Sequence, residues 1–225
     1  MSAESGIKTF RDSDGLWEEY NVMDVATPEA WLKNPALVNE FYNKRRKQVS
    51  EAKPNPAHYA LAELEKHFNV HVITQNIDDL HERAGSKKVL HLHGEIKKAQ
   101  STANPDLVYE LKGWQLKLGE KCELGSQLRP HIVWFGEAVP NMGLAYEIVK
   151  QAEILLIIGS SLSVYPAAGL VFHATDKCRK FLVDPNHIKV SDIENLKIFK
   201  ENAGTGVPKV VEELLKNSVH HVRSS

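Results

Sequence analysis

Two short polar motifs in the first half of the chain carry the side chains best suited to chemistry. Gln75-Asn76-Ile77-Asp78 follows an apolar, β-branched run, and His91-Leu92-His93-Gly94-Glu95 lies further along. Alternation along a strand would place His91 and His93 on the same side, and an imidazole with an ordinary pKa of about 6.5 suits a general base near neutral pH. Asn and Asp after a strand equally suit a helix cap. These residues alone therefore leave a catalytic site and a structural cap open.

The elements that must position these motifs indicate an α/β fold. Several apolar runs do not alternate regularly between apolar and polar residues, which predicts strands covered on both faces. These runs lie at 70–74, 131–135, 153–159 and 181–183. Helical stretches separate them, at 56–68 behind Asn55, at 143–152 behind Asn141 and at 207–217. This order predicts a Rossmann-type, doubly wound parallel sheet, which binds ligands at the carboxyl ends of its strands.

Two segments interrupt the alternation of strands and helices. One is helical, with Pro28 and Pro35 in first-turn positions after Thr27 and Asn34, and the other is polar and weakly periodic. We interpret them as insertions, 26–57 and 98–128, that form a small helical and irregular domain. The Rossmann-type domain then comprises 1–25, 58–97 and 129–225.

The composition excludes several classes of protein. The 225 residues are 42% hydrophobic and 25% charged, which supports a folded core. Lys and Arg number 28 against 29 Asp and Glu, so no basic field exists to bind nucleic acid. No apolar run approaches the roughly 20 residues that cross a membrane, and the first residues do not form a secretory leader. With only Cys122 and Cys178, the sequence indicates a cytoplasmic protein without nucleic-acid or membrane partners. It leaves the oligomeric state open.

In combination, the motifs resemble those of the sirtuins, the NAD-dependent protein lysine deacylases. Within the family, they resemble the bacterial type related to the mitochondrial desuccinylase. The matching stretches keep the family order over nearly the whole chain, and this ordered combination is specific although each stretch alone is weak. The stretches are SAESGIKTFR (2–11), DGLW (14–17), TQNID (74–78), HLHGE (91–95), RPHIVWFGE (129–137) and IGSS (158–161).

The resemblance implies roles for individual residues. NAD and an acylated lysine side chain of a protein would meet in a cleft between the two domains, with His93 as the base and Asn76 and Asp78 as further catalytic residues. The residues implied to bind NAD are Ala3, Gly6, Phe10, Arg11, Trp17, Gln75, Asn76, Ile77, Asp78, Gly159, Ser160, Ser161, Asp184 and Ala203. Those implied to line the acyl-lysine tunnel are Val133, Phe135, Gly136 and Val164.

The implied reaction transfers the acyl group from lysine to ADP-ribose. The acyl oxygen attacks the ribose carbon that bears nicotinamide, nicotinamide leaves, and the base then activates a ribose hydroxyl. Tyr42 and Arg45 share a helical face and match the pair with which desuccinylating members hold the distal carboxylate, so succinyl and malonyl groups are expected beside acetyl. From the residues alone, Arg45 would instead belong to a solvated basic run and Tyr42 to the core.

The chain departs from the family at three places. Sirtuins carry an apolar strand ending in Gly-Ala-Gly before the segment that starts here at Ser2, so we expect Met1 to be an internal start and a chain beginning there to bind NAD weakly. Between His93 and His131 only Cys122 could ligate zinc, so no metal site and no zinc are expected. Asp184 lies where relatives place an Asn and a Glu near the adenosine ribose, and we expect it to substitute for them.

Two other functions stay open at this point. Mono-ADP-ribosyl transfer would use the same cofactor and much of the same cleft. A catalytically impaired NAD-binding module would follow from the missing N-terminal strand and loop, although the intact Asn76, Asp78 and His93 argue against it.

Overall fold

Parallel strands and helices alternate through most of the computed structural model, which describes residues 1–8, 16–17, 20–160, 167–186 and 193–222, with the backbone alone described at 16–17 and 218–222. In chain order the elements are a 3-10 turn (Ser2–Ser5), β1 (Leu16–Trp17), β2 (Tyr20–Asn21), α1 (Val22–Val25), α2 (Pro28–Lys33), α3 (Pro35–Glu51), α4 (Pro56–Leu64), β3 (Val72–Thr74), α5 (Leu80–Ala84), β4 (Val89–His91), β5 (Gly94–Ser101), β6 (Val108–Glu110), β7 (Leu128–Ile132), α6 (Met142–Lys150), β8 (Ile154–Ile158), a 3-10 helix (Ala167–His173), β9 (Arg179–Val183), β10 (Leu196–Phe199) and α7 (Ala203–Val222). No described helix is long and apolar enough to cross a membrane.

Two parallel sheets form the larger part of the fold. One has the order β10-β9-β8 and the other pairs β3 with β4. Helices α4 and α7 cover the first sheet, with Leu61 and Val207 packed in one apolar cluster with Phe181 and Val183 of β9. Short apolar strands joined by helical crossovers produce this arrangement, and the predicted Rossmann-type α/β class is confirmed.

A cleft of about 750 Å³ separates the two parallel sheets and is lined by β3 and β8. The apolar side chains of Leu155 and Leu156 in β8 are only half-buried, whereas Phe181 and Leu182 in β9 are buried. The difference arises because β9 has a strand on each side, while β8 pairs with β9 alone among the described strands. The carboxyl ends of β3 and β8 open at one end of this cleft.

The second unit joins α1 to α3 with an antiparallel sheet of order β6-β5-β7. Thr27 and Asn34 cap α2 and α3 as predicted, accepting hydrogen bonds from Ala30 N at 3.0 Å and Leu37 N at 3.1 Å. The buried Arg46 of α3 donates to Ile96 O at 2.5 Å and thereby fixes the helix against β5. Burial lowers the pKa of Arg46 to about 10.

The sequence interpretation of this unit was wrong in two respects. Residues 98–128, expected to be irregular, contain the end of β5 and all of β6, and the strand expected at 131–135 is β7, antiparallel to β5 rather than part of a parallel sheet. The domain boundaries expected at 97 and 128 therefore fall inside β5 and at the first residue of β7. The signal was weak because these strands bury only alternate side chains and pair across long sequence distances, as in Gln100 with Arg129.

Helix ends also differ from the prediction for identifiable reasons. Helix α7 begins at Ala203 rather than at 207, because the Glu4 carboxylate accepts hydrogen bonds from Ala203 N and Gly204 N, both at 2.8 Å. Asn141 precedes α6 as predicted, but its side chain donates to His91 O at 2.8 Å instead of capping the helix. Asn55 does cap α4, accepting from Ala57 N at 3.0 Å.

The surroundings of Cys122 generate a prediction about zinc. Its sulfur lies 3.2 Å from the Ser101 hydroxyl, in an apolar cluster with Ala99, Leu116 and Leu128. We expect the purified protein to contain no stoichiometric zinc, because a tetrahedral structural site needs four ligands and this unit is held by packing. Elemental analysis after dialysis should find well under one zinc per chain. One tightly held zinc per chain would contradict the prediction.

Candidate active site

The carboxyl ends of β3 and β4 bring the two polar motifs together. Strand β3 ends at Thr74 and the chain passes through Gln75 to Asp78 before α5 begins, while β4 ends at His91 beside it. Thr74 pairs with His91 across the two strands, and Leu92 N donates to Thr74 O at 2.9 Å. The parallel pairing therefore places both motifs at the sheet edge where α/β proteins bind ligands.

The backbone fixes which ring nitrogen of His93 carries the proton. Its Nδ1 lies 3.1 Å from Gln75 O, and because a carbonyl oxygen can only accept, Nδ1 carries the proton and donates. In the neutral ring the lone pair is then on Nε2. Burial lowers the pKa of His93, an effect that the Gln75 hydrogen bond opposes. The imidazole is therefore neutral near pH 7, with Nε2 ready to accept a proton.

His91 differs from His93 in orientation and in the direction in which its pKa is shifted. The expectation that both lie on one side of a strand was wrong: β4 ends at His91, and the chain turns before β5 begins at Gly94. His91 Nε2 lies 2.7 Å from Glu82 Oε1 and Nδ1 lies 3.2 Å from Asn76 O, so the ring has acceptors on both sides. Although burial opposes it, the hydrogen bond and charge of Glu82 raise the pKa of His91. His91 therefore supports Asn76 structurally.

The backbone at Gly94, which directly follows the candidate base, has no room for a side chain. Gly94 has a φ of +82°, and a Cβ there would lie 2.2 Å from His131 O. A glycine is needed because β5 pairs closely with β7 at this position, where Gly94 lies opposite Ile132.

Ser2 links the two polar residues of the first motif. The Asn76 side-chain amide donates to Ser2 Oγ at 2.8 Å, and the Ser2 hydroxyl bonds the Asp78 carboxylate. Asp78 is buried, and burial raises its pKa, while the hydrogen bonds from Ser2 and from Leu80 N oppose that rise. Ser2 is absent from the predicted site residues although it lies in the matching stretch SAESGIKTFR. The sequence signal that could have identified Ser2 is its position next to Ala3, which is among the predicted NAD-binding residues.

The same N-terminal turn contacts Gly159 and Ala203, two of the residues predicted for the adenosine half of NAD. Gly159, at the end of β8, has a φ of +59°, and a Cβ there would lie 2.9 Å from Met1 N. Ala203 is buried, and its backbone N–H donates to the Glu4 carboxylate. Asp184 is buried at the end of β9 and accepts from Asn186 N at 2.8 Å. The turn therefore joins two groups of predicted NAD residues that lie far apart in sequence.

The predicted tunnel residues follow β7 and reach His93 through the backbone. Val133 N donates to His93 O at 3.0 Å, which places half-buried Val133 directly beside the candidate base. Phe135 N donates to Ala26 O at 3.0 Å, and its ring is half exposed. Gly136 is exposed with a φ of +90°. This segment therefore runs from the base to the helical unit.

Tyr42 and Arg45 lie beside this segment on the buried face of α3. Tyr42 is fully buried and Arg45 is 4% exposed, so the solvated basic run considered from sequence is wrong for Arg45. Burial raises the pKa of Tyr42, which keeps its phenol protonated, while the charge of Arg45 works against that rise. The two side chains are thus close enough to interact electrostatically, as their spacing on one helical face predicts.

The remaining site predictions are placed as follows. Gln75, Ile77 and Ser160 are partly buried, and Ile77 O accepts from Ile96 N at 2.8 Å. Ala3 and Gly6 belong to the N-terminal turn. Four predicted residues and one side chain lie outside the described residues: Phe10, Arg11, Ser161, Val164 and the side chain of Trp17. Within the described ranges, no group of three or more His, Cys, Asp or Glu side chains is arranged to hold a metal ion.

Fold and site together define a doubly wound α/β protein with a polar ligand site at the carboxyl ends of its parallel strands. The family model described as "Sir2 family" matches residues 1–166. An NAD-dependent protein deacylase of Helicobacter pylori is 51% identical over 218 residues, which cover 96% of this chain and 94% of that protein. One from Bacteroides thetaiotaomicron is 50% identical over 220 residues, covering 96% and 94%. The crystal structure of a Sir2 homolog–NAD complex has a TM-score of 0.86 at 36% identity, covering 96% of this chain and 86% of that one. The chain belongs to the Sir2 family.

We predict that catalysis depends on neutral His93. As pH falls through its lowered pKa, Nε2 becomes protonated and can no longer accept a proton, so kcat/KM should reach a plateau at high pH and fall on the acid side with a midpoint below about pH 6.5. His93→Ala should lower kcat/KM by about a hundredfold to ten-thousandfold. The measurement is the initial rate of NAD-dependent deacylation of an acyl-lysine peptide as a function of pH. Thermal melts verify that the variant is folded.

His67→Ala is the matched control, because His67 is exposed and lies outside the site. It should leave the rate unchanged. Near wild-type turnover by His93→Ala would assign His93 to structure instead of catalysis.

Proposed function

We propose that this chain is an NAD-dependent protein-lysine deacylase that transfers the acyl group to ADP-ribose and releases nicotinamide. The observation that carries the proposal is the placement of His93, neutral and with Nε2 available, between the Asn76–Ser2–Asp78 hydrogen bonds and Val133. A general base, a polar pocket and an apolar channel are the three parts that this reaction needs. The relatives named NAD-dependent protein deacylase support the same reaction.

The residues at the sheet edge fit NAD in chemistry and in shape. The Asn76 amide and the Asp78 carboxylate offer a donor and an acceptor pair for a carboxamide and ribose hydroxyls. Gly159 is exposed just after β8, and without a side chain its backbone would be open to a ligand at the carboxyl end of the sheet. Ser160, Asp184 and Ala203 lie on the same side of the sheet ends and would hold the adenosine half.

The chain's own residues then have distinct tasks in the reaction. NAD supplies an activated ribose carbon that the acyl oxygen can attack. Asn76 and Asp78 orient the ribose and nicotinamide, and His93 takes a proton from a ribose hydroxyl at Nε2 while the Gln75 carbonyl stabilises the resulting imidazolium through Nδ1. Val133 and Phe135 line the lysine channel and exclude water that would otherwise compete with the acyl group.

The acyl preference follows from Tyr42 and Arg45. A buried guanidinium and a protonated phenol together recognise a carboxylate by charge-assisted hydrogen bonds, which are stronger away from water. Succinyl- and malonyl-lysine present such a carboxylate, whereas acetyl-lysine does not. We therefore assign the chain desuccinylase and demalonylase activity beside deacetylase activity, on protein substrates in the cytoplasm.

Mono-ADP-ribosyl transfer remains the second candidate, because it would use the same NAD residues. The two reactions separate in one assay of the full chain with NAD and matched lysine peptides. Deacylation predicts nicotinamide release that requires an acylated peptide and yields O-acyl-ADP-ribose and free lysine by mass spectrometry. Nicotinamide release with ADP-ribose attached to an unacylated peptide would overturn the proposal, as would NAD binding without any turnover.

We predict that Arg45→Met selectively removes activity on succinyl-lysine. The substitution keeps the length and apolar stem of the side chain but removes the charge, so kcat/KM should fall by at least about tenfold for a succinyl peptide and stay within about twofold for the acetyl form of the same peptide. Lys47→Met on the exposed face of α3 is the matched control and should change neither rate. Equal losses on both substrates from Arg45→Met would mean that Arg45 supports the fold.

A further inference from the structure

Trp134 contacts Tyr42 of the proposed acyl-selecting pair but has no role in the proposed reaction so far. It lies between the two tunnel residues Val133 and Phe135, and its side chain is 2% exposed. The indole Nε1 lies 3.1 Å from Tyr42 Oη. This hydrogen bond connects the tunnel segment after β7 to the helix α3, which carries Arg45.

The chemistry of indole fixes the direction of this hydrogen bond. An indole N–H can only donate, so the Tyr42 oxygen accepts. The phenol then keeps its own proton to donate to another group. Without Trp134, the Tyr42 hydroxyl could turn and serve as either donor or acceptor. The indole therefore makes Tyr42 a donor, which is the form that recognises an anion.

Several contacts hold the indole in this position. The Arg129 guanidinium carbon lies 3.8 Å from the centre of the Trp134 ring. Glu137 forms two hydrogen bonds with Arg129, at 2.8 Å and 3.0 Å, and accepts from Trp134 N at 2.8 Å. Trp31 packs on the indole with ring centroids 5.9 Å apart. Side chain and backbone of Trp134 are thus both fixed before any substrate arrives, which is what a positioning residue requires.

We propose that Trp134 is a positioning residue for acyl-group selection, which orients the Tyr42 hydroxyl so that it donates, together with Arg45, to an acceptor at the distal end of the acyl chain. The inference rests on the proposed deacylase function and adds a specificity determinant to it. Acyl groups that end in a carboxylate gain a hydrogen bond from this arrangement. Acetyl groups, which have no distal acceptor, gain nothing.

The first test is Trp134→Phe, which removes the N–H donor and keeps an aromatic ring. With the full chain, NAD and one peptide in two acylated forms, kcat/KM for succinyl-lysine should fall by about tenfold, mainly through a higher KM, and that for acetyl-lysine should change by less than about twofold. Trp114→Phe is the matched control, because it makes the same substitution at an exposed indole that does not contact Tyr42 or Trp134 in the structure. It should leave the ratio of the two rates unchanged.

The second test is a double-mutant cycle with Tyr42→Phe. If Trp134 acts through the Tyr42 hydroxyl, the double variant should lose no more than about twofold beyond Tyr42→Phe alone on succinyl-lysine. Equal losses on both peptides from Trp134→Phe, or fully additive losses in the cycle, would overturn the inference and assign the indole to packing.

Turnover of acetyl-lysine without turnover of succinyl-lysine by the wild type would overturn this inference and leave the deacylase proposal intact. Turnover of neither peptide would overturn the deacylase proposal itself.

Discussion

The hydrogen bond from His93 Nδ1 to the Gln75 carbonyl is the constraint on which the site depends. It exists because β3 and β4 are parallel neighbours, so that the residues following both strands meet at one edge. It also sets the ring tautomer, since the carbonyl can only accept. On the far side of His93, its own carbonyl accepts from Val133 N. His93 thus connects the polar residues after β3 to the segment that is proposed to line the lysine channel.

The N-terminal turn forms the other connection that holds the site together. Ser2 bonds Asn76 and Asp78, Glu4 caps α7 beside Ala203, and Asn55 of α4 donates to Met1 O and Ser5 Oγ, both at 3.1 Å. Residues 1–6 are therefore held mainly by hydrogen bonds to the segment after β3, to the cap of α4 and to the start of α7. They connect the two groups of residues that are proposed to bind NAD.

The sequence predicted those parts of the fold whose signals are local. Caps such as Thr27, Asn34 and Asn55 marked helix starts correctly, because the capping hydrogen bond lies within three residues. Strands β5 and β7 were misjudged because their partners are distant in sequence and only alternate side chains are buried. The candidate base could be named from its motif, but its tautomer could not, since that depends on a carbonyl 18 residues away. Ser2, Glu4 and Trp134 were missed for the same reason: each acts through a partner that only the fold brings near.

The catalytic role of His93 requires a neutral imidazole with its proton on Nδ1. A direct measurement is nitrogen-15 NMR of the histidine-labelled full chain across pH 4 to 9, with His93 assigned by comparison with a His93→Gln variant. We expect a neutral ring with Nδ1 protonated, Nε2 unprotonated and a pKa below the usual value of about 6.5. A ring with its proton on Nε2 instead of Nδ1 at neutral pH, or a pKa above about 6.5, would rule out this role.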